Sequence, residues 1–199
     1  MRPGRRVLLL LALGAAPAMA QESGLEALMR AMAAVRQRTD GFTEEKAIPE
    51  LDLPLPSEGT LRWTAPDRLE KRTTFPIEER LTVEGGRMVY ARPDRGVTRE
   101  FALDDQPELR ALVESVRATL AGDLPGLRRY YAIGFEGSAE GAWRMVLTPI
   151  SARVRAAVQE IRLAGQGAQV RSVDTEGGGG VTRLRITPVP DRPPSTGRP

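Results

Sequence analysis

Three adjacent acidic pairs, Glu44–Glu45, Glu78–Glu79 and Asp104–Asp105, have the best claim to chemistry in this chain. Two convergent carboxylates can hold a divalent cation, or divide the work of general acid and general base. Their spacing argues against both roles. Neighbours on a strand point to opposite faces, so the first two pairs read as solvated strand charges and the third as the start of a helix. The chain has no Cys and no His. That removes disulfides, thiolate nucleophiles, Cys/His zinc sites and every histidine-based triad. Ser138, in Gly137-Ser138-Ala139-Glu140-Gly141, does not stand in a nucleophile elbow and fits a tight hairpin. The glycines at 177–180 lack the lysine of a phosphate loop and open no helix, so they read as a turn. No catalytic residue, metal or cofactor is expected, and the chain is not read as an enzyme.

The elements that position these residues follow from periodicity. With 199 residues, 41% hydrophobic and 28% charged, the composition is that of one globular domain. The N-terminus carries Arg2, Arg5 and Arg6, an apolar run from Val7 to Leu13, and Ala18-Met19-Ala20. This is the order of an export signal, read as residues 1–20 with cleavage after Ala20. Those three arginines account for the whole excess of 29 basic over 26 acidic residues. The basicity therefore belongs to the signal, and no nucleic-acid partner is expected. Residues 22–39 look helical, with Leu25, Leu28, Met29, Met32 and Val35 on one stripe and Ser23–Glu26 as a capping box. A second helix begins near Asp105, Pro107 and Glu108, carries Leu109, Leu112, Val113, Val116 and Leu120, and ends at Gly122. A short turn follows around Leu127.

Period-two alternation marks the remainder as half-buried antiparallel strands. Residues 41–51 form a first strand, after which Pro49, Pro54 and Pro56 give an edge or loop. Leu61 and Trp63 share a face, as do Leu81 and Val83, then Val97, Phe101 and Leu103. Tyr131, Ile133 and Phe135 alternate with polar or small residues, as do Trp143, Met145 and Leu147. Three further strands fall at 157–163, 168–175 and 181–187, and Arg183 and Arg185 beside Leu184 and Ile186 read as a polar outer face. The five prolines from Pro188 onward read as a disordered tail at 189–199. The fold class is α+β, one long antiparallel sheet with two helices on a single face. About ten strands at ~4.8 Å each span roughly 45 Å, more than two helices can cover. Such a sheet curls tightly round its helices or leaves an apolar pocket for a lipid-like ligand.

Scattered motifs carry a family resemblance over roughly residues 25–188. They are Phe42 after the first helix, Gly59-Thr60-Leu61-Arg62-Trp63 running to Pro66, Val83-Glu84-Gly85-Gly86-Arg87-Met88, and Met145-Val146-Leu147-Thr148-Pro149. In this order the chain resembles the outer-membrane lipoprotein carrier (LolA-like) family, as a divergent member. Ala65 stands where the family has a basic lid-tying residue, and Val89 where it has a tryptophan.

The resemblance implies an unclosed, strongly curled antiparallel half-barrel, a single domain at 21–188, with helices as a lid over an apolar cavity. It also implies a periplasmic monomer that shields acyl chains of a lipoprotein, or another hydrophobic cargo, between an inner-membrane donor and an outer-membrane acceptor. The expected cavity walls are Leu61, Trp63, Phe75, Leu81, Val83, Met88, Tyr90, Phe101, Ile133, Phe135, Trp143 and Leu147. The expected lid residues are Leu25, Leu28, Met29 and Met32 on the first helix, and Leu112, Val113 and Val116 on the second. The alternative is an envelope interaction or sensor module of the same fold with a filled core.

Overall fold

The computed structural model describes residues 16–189. Of the expected signal at 1–20, residues 1–15 lie outside the described residues and 16–20 begin the first helix; the tail from 190 also lies outside them. Eleven antiparallel strands form one sheet in the order β6-β5-β4-β3-β2-β1-β11-β10-β9-β8-β7. The strands are β1 Gln37–Ala47, β2 Leu55–Thr64, β3 Arg68–Phe75, β4 Glu79–Glu84, β5 Arg87–Arg92 and β6 Val97–Ala102, then β7 Tyr131–Gly137, β8 Ala142–Pro149, β9 Val158–Gln166, β10 Gln169–Gly177 and β11 Gly180–Pro188. The sheet is curled but open, since β6 and β7 are its two unpaired edges. The first strand is thus the sixth of eleven and lies at the centre of the sheet, paired with β2 on one side and β11 on the other.

Four helices accompany the sheet: α1 Ala16–Ala33, α2 Pro107–Ala121, α3 Leu124–Arg128 and α4 Ala152–Ala157. Helix α1 begins ahead of Ser23, so the Ser23–Glu26 pair lies inside the helix rather than at its cap. It also stops at Ala33, and β1 begins at Gln37, earlier than alternation alone suggests. Helix α2 opens at Pro107 with Gln106 as its cap residue, and no side chain closes that cap. It ends at Gly122, whose φ of 67° lets its amide reach the carbonyls of Ala118 and Thr119. A Cβ there would stand 2.2 Å from the Met29 carbonyl oxygen. Only glycine therefore permits both the left-handed turn and the close approach of α2 to α1. Among the described residues no helix is long and apolar enough to cross a membrane.

Two apolar clusters form. The larger joins Leu25, Leu28, Met29 and Met32 of α1 to Leu127, Tyr131, Trp143, Met145, Leu147, Ile161 and Leu163, on the β7–β9 side. The smaller gathers Leu103 with Val83 and Met88, at the β4–β6 side. Buried polar groups in the larger cluster are paired. The Trp143 indole donates to Gly167 O at 2.8 Å and the Tyr131 hydroxyl to Ala111 O at 2.7 Å. Burial pushes the Tyr131 phenol far above its ordinary range.

Candidate functional site: an apolar cavity beneath helix α2

Between the two clusters lies a cavity of about 430 Å³. Its roof is α2, which contributes Leu109, Leu112, Val113, Val116 and Leu120. Its floor is the inner face of the central sheet, from β5 across β1 to β9. Helix α2 is two-sided in an unusual sense. Its fully buried positions are small: Ala111, Ser115 and Ala118 each have 0% exposure. Its large apolar side chains are only half-buried, because they face the void. The small face allows close packing on α1, while the large face borders the cavity, with Leu112 and Leu120 touching the larger cluster and Leu109 and Val113 the smaller one. The hydroxyls that the buried side carries are satisfied within the helix, Ser115 Oγ on Leu112 O at 2.7 Å and Thr119 Oγ1 on Ser115 O at 2.6 Å.

The expected site residues divide cleanly. Leu61, Trp63, Leu81, Val83 and Met88 line the cavity with Leu112, Val113 and Val116. The other expected walls do not. Ile133, Phe135, Trp143 and Leu147 stand on β7 and β8, where the larger cluster with α1 and α3 covers them. Phe101 packs against the Val83–Met88 cluster. The Tyr90 hydroxyl donates to Glu79 at 2.7 Å, which raises its proton affinity, and the ring is not a wall. Phe75 is 51% exposed. A bulge explains it: Gly59 pairs with Thr73 but Glu58 with Phe75, two steps on β3 against one on β2, so the face alternation is broken there. The α1 residues Leu25, Leu28, Met29 and Met32 are at most 3% exposed and belong to the packed cluster, not to the cavity. An apolar stripe identifies the buried face of a helix, but not whether protein or void lies opposite.

Several lining residues are ones that sequence reasoning missed. Val173, Leu184 and Ile186 line the floor, and the alternation of Leu184 and Ile186 with the exposed Arg183 and Arg185 was a readable signal. The central strand gave no such signal, because its inward face reads Arg38, Asp40, Phe42, Glu44, Lys46. Here Lys71 Nζ meets Glu44 Oε2 at 2.6 Å and sits 4.8 Å from the centre of the buried Phe42 ring. Arg38 lies 3.7 Å from Asp40 and donates to Ala168 O at 2.7 Å. Burial raises the Asp40 carboxyl above its ordinary value, against the pull of Arg38 and Arg171.

The acidic pairs go separate ways. Glu44 engages Lys71, Glu78 engages Arg72 at 2.8 Å, Glu79 accepts from Tyr90, and Asp104 pairs with Arg110. Among the described residues no three His, Cys, Asp or Glu side chains gather as a metal site. At Ala65 there is no basic residue to tie the segment after α1. The Trp63 indole does this instead, donating to Val35 O at 3.1 Å, while Arg68 is held by Glu84 at 2.6 Å.

An open curled sheet whose apolar hollow is roofed by a helix defines a carrier-type fold for lipid-like ligands. The sequence carries the assignment one step further. The model of the family described as outer membrane lipoprotein carrier protein LolA-like matches residues 14–185, and the chain belongs to that family. No curated protein matches it in sequence. Similar solved structures include a LolA superfamily protein from Nitrosomonas europaea, 11% identical with a TM-score of 0.48, over 87% of this chain and 94% of that one. Lipoprotein LppX from Mycobacterium tuberculosis is 12% identical with a TM-score of 0.46, over 85% and 94%. LprF from Mycobacterium bovis is 9% identical with a TM-score of 0.38, over 85% and 92%. At these scores the likeness carries no weight of its own, and membership rests on the sequence match.

Proposed function

We propose that the protein is a non-enzymatic carrier that takes a lipid-like cargo, such as the acyl chains of a lipoprotein, into the cavity beneath α2. In this reading residues 1–20 are an export signal cleaved after Ala20, and residues 21–188 are a single domain working as a monomer in the periplasm. The cargo is received from an inner-membrane donor and passed to an outer-membrane acceptor. The observation that carries the reading is the 430 Å³ void itself, within the usual size of a ligand site and walled mainly by aliphatic side chains. A sensor or scaffold with a filled core has no use for it.

The energetics favour α2 as the moving part. Burying a CH₂ gives about 0.8 kcal/mol, so one long chain is worth roughly 10 kcal/mol, too much for ready release. A roof that settles into the empty hollow lowers the net affinity, because cargo must displace it. Leu112, Val113 and Val116 are placed to do so. Helix α1 is not, since its apolar stripe is already spent in the packed cluster.

Native mass spectrometry of the protein purified from the envelope of its own host tests the proposal. A one-to-one adduct of lipid mass that detaches on activation is the expected result. The bare polypeptide mass in every preparation, with no uptake from added lipid extract, would overturn it.

A further inference from the structure

Within this carrier reading, the row Lys46–Thr182–Thr175 at one end of the cavity carries a more specific assignment. Lys46 on β1 is the register partner of Thr182 on β11, and Thr182 is the register partner of Thr175 on β10. The three residues therefore stand side by side across three strands, and all three line the cavity. Each shares the inward parity of its strand, with Glu44 on β1, Leu184 on β11 and Val173 on β10, which line it too. The residues of opposite parity beside them, Glu45 and Arg183, are exposed on the outer face.

The charges on the inward face of the central strand are otherwise neutralised. Arg38 lies against Asp40, and Glu44 against Lys71. Lys46 alone on that face has no ion pair or hydrogen bond among the described residues, and the same holds for the hydroxyls of Thr175 and Thr182. Lys46 is exposed while the two threonines are half-buried. An ammonium at the solvent end and two free hydroxyls one strand and two strands inward make a cradle for an anion, since all three can donate. Strands lie ~4.8 Å apart, so the two threonines stand one spacing from each other, and the long Lys46 side chain can reach across the second spacing toward them. The distance along β1 from Lys46 to Arg38, eight residues, is about 27 Å at ~3.4 Å per residue. It is bounded by Leu61, Trp63, Val173, Leu184 and the α2 side chains. A polar head held at one end and a long apolar slot leading away from it match a single-headed amphiphile.

We infer that the cavity selects amphiphiles with one anionic headgroup, carboxylate or phosphate, and that Lys46, Thr182 and Thr175 bind that headgroup while the chain lies beneath α2. A charge-assisted hydrogen bond contributes enough to shift affinity about tenfold.

The test is displacement of the neutral dye N-phenylnaphthylamine from the full chain by dodecanoate, dodecyl phosphate and dodecanol at about pH 8, where the carboxylate is ionised. We expect both anions to displace the dye at roughly tenfold lower concentration than the alcohol. The variant Lys46→Met should bring dodecanoate to the level of dodecanol, each compared at the variant's own dye affinity, and Lys46→Arg should keep the preference. A Thr182→Val variant, conservative in shape, should weaken the anions alone, by a smaller factor. Equal displacement by anion and alcohol in the wild-type protein, or a preference that survives in Lys46→Met, would overturn the headgroup site while leaving the carrier reading intact. Failure of dye, alcohol and anions alike to bind would overturn both. A preference for one anion over the other identifies the headgroup as carboxylate or phosphate.

Discussion

The two halves of the sheet are built from similar residues and end in opposite states. On the β7–β9 side, α1 and α3 lay large side chains against large side chains, and Leu28, Leu127, Leu147 and Ile161 have 0% exposure. On the β1–β4 side, Leu61, Leu69 and Leu81 are only half-buried, although α2 passes over them. The difference is set by the number of helices each half receives. Helices α1, α3 and α4 all pack at the β7–β10 end, and the other half is left with the cavity-facing side of α2. Packing is a property of pairs, so the same aliphatic type is core in one half and cavity wall in the other.

Mutations can break this contrast. Leu147→Ala, in the packed half, should cost about 2–5 kcal/mol, the transfer loss together with a new cavity. Leu61→Ala only enlarges an existing hollow and should cost under about 1 kcal/mol. Denaturant titration of both variants checks the pair, and equal losses would mean that the two halves are packed alike. A smaller effect concerns the polar strand between them. Burial raises the Asp40 carboxyl, so the penalty belongs to its ionised form. That penalty is fully present above the raised value and disappears below the ordinary 3.8. Asp40→Asn should therefore raise Tm by at most a few degrees at neutral pH, and the gap should close as the medium is acidified. A constant gap across the range would show that Asp40 is ordinary.

Much of this architecture is legible in the sequence, and particular residues show where legibility stops. The alternation of Leu61 with Trp63 and of Leu81 with Val83 marks inward faces correctly, and the Leu112–Val113–Val116 stripe marks the roof. The charged strands β3 and β5 escape notice because their alternation is weak, as in Arg68-Leu69-Glu70-Lys71-Arg72. Helix α4 is too short to display a period. The stripe of α1 has the same form as that of α2, so only the three-dimensional partner tells core from lid. Phe75 obeys the alternation until a bulge removes it. The cradle at Lys46 is the least legible feature, since Lys46 and Thr175 lie far apart in the chain and only strand register brings them together.

The central claim, that the hollow beneath α2 is a ligand site and not a packing fault, is tested most directly by titrating the full chain with N-phenylnaphthylamine, wild type against Leu112→Glu. Saturable one-to-one binding to the wild type is the expected result. At least tenfold weaker binding is expected for the variant, whose carboxylate would enter an apolar space, with a lowered Tm but a still cooperative unfolding transition, because Leu112 is only half-buried. Undiminished dye binding by Leu112→Glu, or no binding by the wild type, would contradict the claim.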